Sequence, residues 1–292
     1  MANITTAFVK QFQSTVEILY RQRGSKLMGV VSTEMIQGEQ KLFELSGTHE
    51  AYEQTSRFQD VIIGDTERQR RMCSTRPYRW ASMIDDFDRV RTLIDLNSDE
   101  TQAGMDTLGL KIDKVIIDAA LGTAYGGYDG TTAYTFDTTN QQIAVNLGGG
   151  GSDVGLNVVK LGRALQKLRS AHAMVGDLVC IVNAKAIEQL LTETKFGSAD
   201  YNAVRVLVNG EPGTFMGFRF VHSEAIGVDG NGDMRIIAMN TRAVKMGIAK
   251  PLQVSVDTIP MKGNATLVQA VMMVGAVRMQ EAGVVEILCD PN

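Results

Sequence analysis

Cysteine is scarce in this 292-residue chain, and the three present, Cys73, Cys180 and Cys289, lie far apart. Their number is odd and no CxxC or Cys/His cluster occurs, so neither a disulfide framework nor a structural zinc site is indicated. Reduced, mostly buried thiols are expected. Histidine is equally sparse. His49, His172 and His222 are scattered, and no HExxH, GxSxG or other nucleophile signature accompanies them. No residue is assigned to catalysis, and no cofactor or metal is expected. An excess of basic charge is also missing: the formal net charge of -4 gives no footprint for tight nucleic-acid binding, although such a surface tolerates nearby DNA without gripping it. No stretch approaches about 18 uninterrupted apolar residues, and the opening MANITTAFVKQFQ lacks the apolar core of a signal peptide. A chain that folds in a cytoplasm, outside any membrane, is expected.

What is present is a hydrophobic content of 44%, enough to bury the core of one large domain or two modest ones. Near the N-terminus, Ile4, Phe8, Phe12, Val16 and Leu19 recur at three- to four-residue spacing, the pattern of a helix with one narrow apolar stripe. Read alone, that stripe fits either a first helix on its own core or an arm packed on something else. Residues 38–83 contain one proline and short alternating runs, Lys41–Leu45 and Val61–Ile63, which predict a long two-stranded excursion. Within it, Arg68, Arg70, Arg71, Arg76 and Arg79 crowd together with no acidic residue among them, while Asp85, Asp86 and Asp88 follow. Arginine suits bidentate carboxylate pairing across interfaces; a solvated charged face accounts for the same pattern.

The clearest helix spans 98–121, with Ser98 as its N-cap, Asp99 and Glu100 in its first turn and Gly122 as its stop. Met105, Leu108, Ile112, Val115, Ile116 and Ala119 are its expected apolar face. Gly104 and Gly109 are costly inside a helix, and they point to bending or to close packing. Residues 123–155 read as loops and hairpins ending in Gly148–Gly151. Beyond them, helices near 156–173, 184–193 and 199–208 mix with strands at 178–182, 214–222 and 234–239 and a β-rich C-terminus, without regular βαβ spacing. The fold class is therefore α+β. Two motifs are set aside. The glycine run lacks any GxxxxGK[ST] or GxGxxG context, and Asp229-Gly230-Asn231-Gly232-Asp233 has Met234 and Asn240 where a calcium loop needs glycine and glutamate, so it predicts a tight turn.

In order and in local wording the chain resembles a known family. The stretches carrying the likeness are Tyr78–Asp86, Val90–Asp95, Asp118–Gly122, Ser198–Asn202, Gly213–Phe218, Gly275–Met279 and Val284–Ile287. They are similar to segments of tailed-bacteriophage major capsid proteins with the Hong Kong 97 type fold. The resemblance implies an N-terminal arm with a helix (1–37), an extended β-hairpin loop (38–83), a peripheral domain with a spine helix at 98–121 (84–155), a mainly axial domain (156–250), and C-terminal strands returning to both domains (251–292).

It further implies a homo-oligomer of pentamers and hexamers that closes into an icosahedral shell, assembles in the host cytoplasm and resides in the virion. Its implied partners are a separate scaffolding protein acting without cleavage of this chain, a portal protein, a decoration protein, and packaged double-stranded DNA contacted non-specifically. Phe8 and Phe12 would anchor the arm, and Arg68, Arg70, Arg71 and Arg76 would meet carboxylates such as Asp85 and Asp86 between subunits. Some members join loop lysines to asparagines; here Lys41 is the lone lysine of the 38–83 span, so reinforcement is expected to be noncovalent. Two rival readings are an encapsulin-like nanocompartment shell and a soluble α+β enzyme with no recognisable motif.

Overall fold

The computed structural model describes residues 22–47, 49, 51–61, 63–64, 66–85, 96–173, 176–192 and 214–291. Its strands are β1 (Ser32–Met35), β2 (Gln40–Ser46), β3 (Arg68–Ser74), β4 (Arg76–Ile84), β5 (Ala124–Gly126), β6 (Thr132–Tyr134), β7 (Gln142–Ile143), β8 (Leu178–Val182), β9 (Thr214–Phe215), β10 (Phe218–His222), β11 (Met234–Asn240), β12 (Val244–Ile259), β13 (Ala265–Arg278) and β14 (Val284–Cys289). Its helices are α1 (Leu96–Leu121), α2 (Val158–Ser170) and α3 (Ala184–Thr192). The helices expected at the N-terminus and near 199–208 lie outside the described residues.

The 26 residues of α1 make it about 39 Å long. It starts two residues before the sequence signal, which puts Ser98 inside its first turn instead of at the cap; helix ends commonly shift by this much. Leu108, Ile112, Ile116 and Ala120, each four residues apart, form its buried stripe with Ile117 alongside. Met105, expected on that face, is 39% exposed, because it borders a groove beside the incoming chain at Gly24 and Ser25. The two helix glycines are explained by close packing. A Cβ on Gly104 would sit 2.6 Å from the Trp80 ring, and one on Gly109 would sit 2.4 Å from the carbonyl carbon of Gly24.

A six-stranded sheet, ordered β7-β14-β11-β8-β10-β9, draws all its strands except β7 from the second half of the chain. The uninterrupted apolar run of β8 reflects burial on both faces. Leu178, Cys180 and Val182 pack with Leu161 and Leu168 of α2 and Leu190 of α3, while Val179 and Ile181 point into a second core with Ile112 and Ile116 of α1. The strand expected over 214–222 is split. Met216 and Gly217 both take positive φ, and they turn β9 antiparallel onto β10. Asp229 forms the tight turn before β11 by accepting the amides of Asn231 at 2.8 Å and Asp233 at 2.9 Å.

A four-stranded sheet, β1-β12-β13-β4, lies against α1. Its register slips around Lys250, next to Pro251, which has no N–H to give to the ladder. The other four-stranded sheet, β2-β3-β5-β6, contains the predicted excursion, but only part of it. β2 pairs with β3 from Gln40↔Ser74 to Ser46↔Arg68, whereas β4 leaves the hairpin and pairs with β13. The reason lies in its side chains: Tyr78 and Trp80 pack on the core under α1, which a free hairpin would not bury. Val61 and Ile63 lie in the 47–67 connection, outside any strand.

Candidate subunit-contact surfaces

The arginines that crowd together in sequence are separated by strand alternation, since neighbours in a strand point to opposite faces. Arg68 is exposed at the outer end of β3. Arg70 is half-buried, donates from Nη2 to Glu44 Oε1 at 2.9 Å across the hairpin, and lies 5.8 Å from the Tyr128 ring centre. Arg71 faces the other way. It is 3% exposed, stacked 3.6 Å from the Tyr134 ring centre, with Nη2 3.9 Å from Glu281. Its partners are therefore internal to the subunit. Arg76 and Asp85 are both exposed, one at the start of β4 and the other just past its end. Nine strand residues place them about 30 Å apart, so one chain offers opposite charges at opposite ends of one strand. Phe8, Phe12 and Asp86 lie outside the described residues.

Four apolar side chains of the 47–67 connection face solvent. Phe58 is 97% exposed, Ile63 92%, Val61 87% and Tyr52 58%. Scattered exposed apolar residues are ordinary; four within residues 52–63 are the kind of grouping that a partner surface could cover.

The base of the hairpin is built to hold its direction. Glu34 on β1 accepts hydrogen bonds from Lys245 of β12 and Lys41 of β2 and pairs with both charges, and these two lysines hold its carboxyl below its ordinary value. Both ammonium groups also lie over the Phe43 ring, at 4.3 Å for Lys245 and 5.6 Å for Lys41. Beneath them Ile36, Phe43, Cys73, Ala124, Val277 and Met279 form a small core of their own.

Two further fixings were missed by sequence reasoning. Arg278, fully buried, donates from Nη1 to the carbonyls of Ala120 at 2.9 Å and Gly122 at 2.6 Å, from Nη2 to Tyr134 O at 3.1 Å, and from Nε to Glu281 Oε2 at 2.6 Å. At the other side of α1, buried Asp113 accepts from Gln22 Nε2 and Ser25 Oγ at 2.6 Å each, from Leu27 N at 3.0 Å and from Lys26 N at 3.3 Å. The only local signal for Asp113 was a carboxylate adjoining Ile112 on the apolar stripe, a placement that demands partners. For Arg278 there was none, since all its acceptors except Glu281 lie far away in sequence.

The three thiols are shielded. Cys73, Cys180 and Cys289 are free and buried, and burial pushes Cys73 and Cys289 up to about 11 and Cys180 higher still, so all three stay protonated. Among the described residues no group of three His, Cys, Asp or Glu is arranged to hold a metal, and no helix is long and apolar enough to cross a membrane.

Comparison with known proteins places this architecture. The profile of the family described as "Phage capsid protein" matches residues 4–291. No curated protein sequence matches the chain. Among solved structures, the capsid of Ralstonia phage GP4 is similar with a TM-score of 0.75 at 14% identity, over 100% of this chain and 98% of that one. The capsid asymmetric unit of cyanophage Pam1 gives 0.73 at 14% identity, over 100% and 99%. A Mycobacterium phage Che8 structure gives 0.70 at 17% identity, over 96% and 97%.

Proposed function

Because the chain belongs to the phage capsid protein family, we infer that this α+β subunit is the major capsid protein of a tailed phage and closes, as pentamers and hexamers, into an icosahedral head around double-stranded DNA. The observation that carries the assembly reading is the 47–67 connection, whose Phe58, Val61 and Ile63 are almost wholly exposed in the single subunit. Covered by a neighbouring copy, such side chains gain roughly 1.5–3 kcal/mol each.

The ring contacts follow from the charge layout. Arg68, Arg70 and Arg76 meet carboxylates of the next subunit, Asp85 and Asp86 among them, in a head-to-tail contact that closes into rings. Arg71 supports the hairpin from within. Phe8 and Phe12 anchor the arm on a neighbour. A separate scaffolding protein directs assembly in the host cytoplasm, a portal protein takes one vertex, and a decoration protein is a further partner; packaged DNA meets a mildly acidic chain without specific binding.

Negative-stain electron microscopy with analytical ultracentrifugation, on the chain alone and co-expressed with its scaffolding protein, tests this. Shells or capsomer rings are expected, and nucleic-acid content separates a capsid from a protein-filled nanocompartment. A monomer under both conditions overturns the assembly reading.

A further inference from the structure

Between α1, the β12/β13 strands and the incoming chain lies a cavity of about 260 Å³ whose lining is mostly apolar. Its floor is Met246 and Met272, both buried, with Ile112 and Leu252 beside them; Met28 and Met105 form its rim, 38% and 39% exposed. Methionine is the side chain best suited to close around an apolar insert of irregular shape. One wall is the backbone at Arg23, Gly24 and Ser25, held on α1 because Asp106 Oδ1 accepts the Gly24 amide at 3.2 Å and Asp113 accepts the Ser25 hydroxyl at 2.6 Å. The described chain therefore starts beside this groove, with Arg23 in its lining.

We propose that Val16 and Leu19 of the same chain fill this methionine-lined groove, fixing the root of the arm on its own subunit and leaving Phe8 and Phe12 for a neighbour. Sequence, chain reach and tethering converge on that occupant. The sequence carries an apolar stripe that needs a partner, and Val16 and Leu19 are its last two members before the groove wall. The five residues from Leu19 to Gly24 reach at most about 17 Å, enough to double back into a groove that Gly24 itself borders. Tethering by so short a link raises the effective concentration of the insert to the millimolar range, so a modest apolar contact suffices without a second copy.

The inference concerns the single chain, and its test is read on unassembled subunits, so its failure is distinct from failure to form shells. Hydrogen peroxide oxidation followed by peptide mass spectrometry compares the full-length chain with the full-length Val16→Asp/Leu19→Asp variant. Met28 and Met105 are expected to oxidise at least five-fold faster in the variant, while Met261, 97% exposed at the β12/β13 turn, is unchanged. Equal rates at Met105 overturn the proposal. A second measurement uses Leu19→Cys with Met105→Cys, the native thiols being buried. A disulfide within one chain is expected on a non-reducing gel; disulfide-linked dimers assign the groove to a second copy, and linkage no faster than that of a Leu19→Cys/Tyr52→Cys control leaves the groove without this occupant. Either of the last two results overturns the proposal.

Discussion

Arg278, the last residue of β13, sits 158 positions from Ala120, yet its guanidinium donates to the Ala120 carbonyl at 2.9 Å. A helix leaves its final carbonyls without intrahelical donors. In α1 a side chain from a distant strand supplies them, and the same fork holds Glu281 and the Tyr134 carbonyl. One residue thereby locks helix, sheet and hairpin base together.

Replacement of Arg278 by alanine is expected to cost about 3–5 kcal/mol, because it removes the buried partner of Glu281 and the donor to three carbonyls. Arg278→Lys recovers little, since an ammonium lacks the planar fork. Urea unfolding of the unassembled subunit measures both, and a lysine variant as stable as the parent would contradict the capping role.

Alanine at Gly104 or Gly109 improves helix propensity by about 1 kcal/mol, but it places a methyl against the Trp80 ring or the Gly24 backbone. Overpacking of this kind costs about 1–3 kcal/mol. Both variants are expected to melt lower than the parent and the double variant to assemble poorly. A raised melting temperature sinks the packing account.

Glu34 supplies a pH dependence. Lys245 and Lys41 depress its carboxyl in the folded state, so the stability it contributes is fully present above the ordinary value of 4.5 and disappears as pH falls through the lowered folded value. With the carboxyl about a third exposed, the contribution at neutral pH is held to about 1 kcal/mol or less. Thermal melts of Glu34→Gln should fall slightly below the parent at pH 7 and converge with it in acid; a gap that persists or widens in acid contradicts the ion-pair account.

Asp113→Asn turns two acceptor oxygens into one acceptor and one donor facing four donors. A loss of about 1–3 kcal/mol is expected, with faster proteolysis around residues 22–28. Unchanged cleavage there would mean that Asp113 does not hold the incoming chain.

Charge reversal at the exposed arginines should separate folding from assembly. Arg68→Glu with Arg76→Glu is expected to leave subunit stability within about 0.5 kcal/mol while abolishing shells in sedimentation. Boiled parent shells should run as monomer in denaturing detergent; a ladder of multimers would show covalent reinforcement.

The sequence by itself determined the periodic elements. The stripe of α1, the alternating β2 and the apolar run of β8 were legible because periodicity and composition are local properties, and the capsid resemblance rested on their order together with local sequence. The Asp229 turn was legible because its donors and acceptor are a few residues apart. Only the tertiary structure decided that Arg71 turns inward while Arg68 stays outside, because strand alternation acts only once register is fixed, and that β4 leaves the hairpin for β13. It alone paired Arg278 with the end of α1, Asp113 with the chain at 22–27, and Glu34 with two lysines from other strands. Those pairings join residues whose separation along the chain carries no signal, and they exist only because sheets and helix bring distant backbone groups within hydrogen-bonding reach.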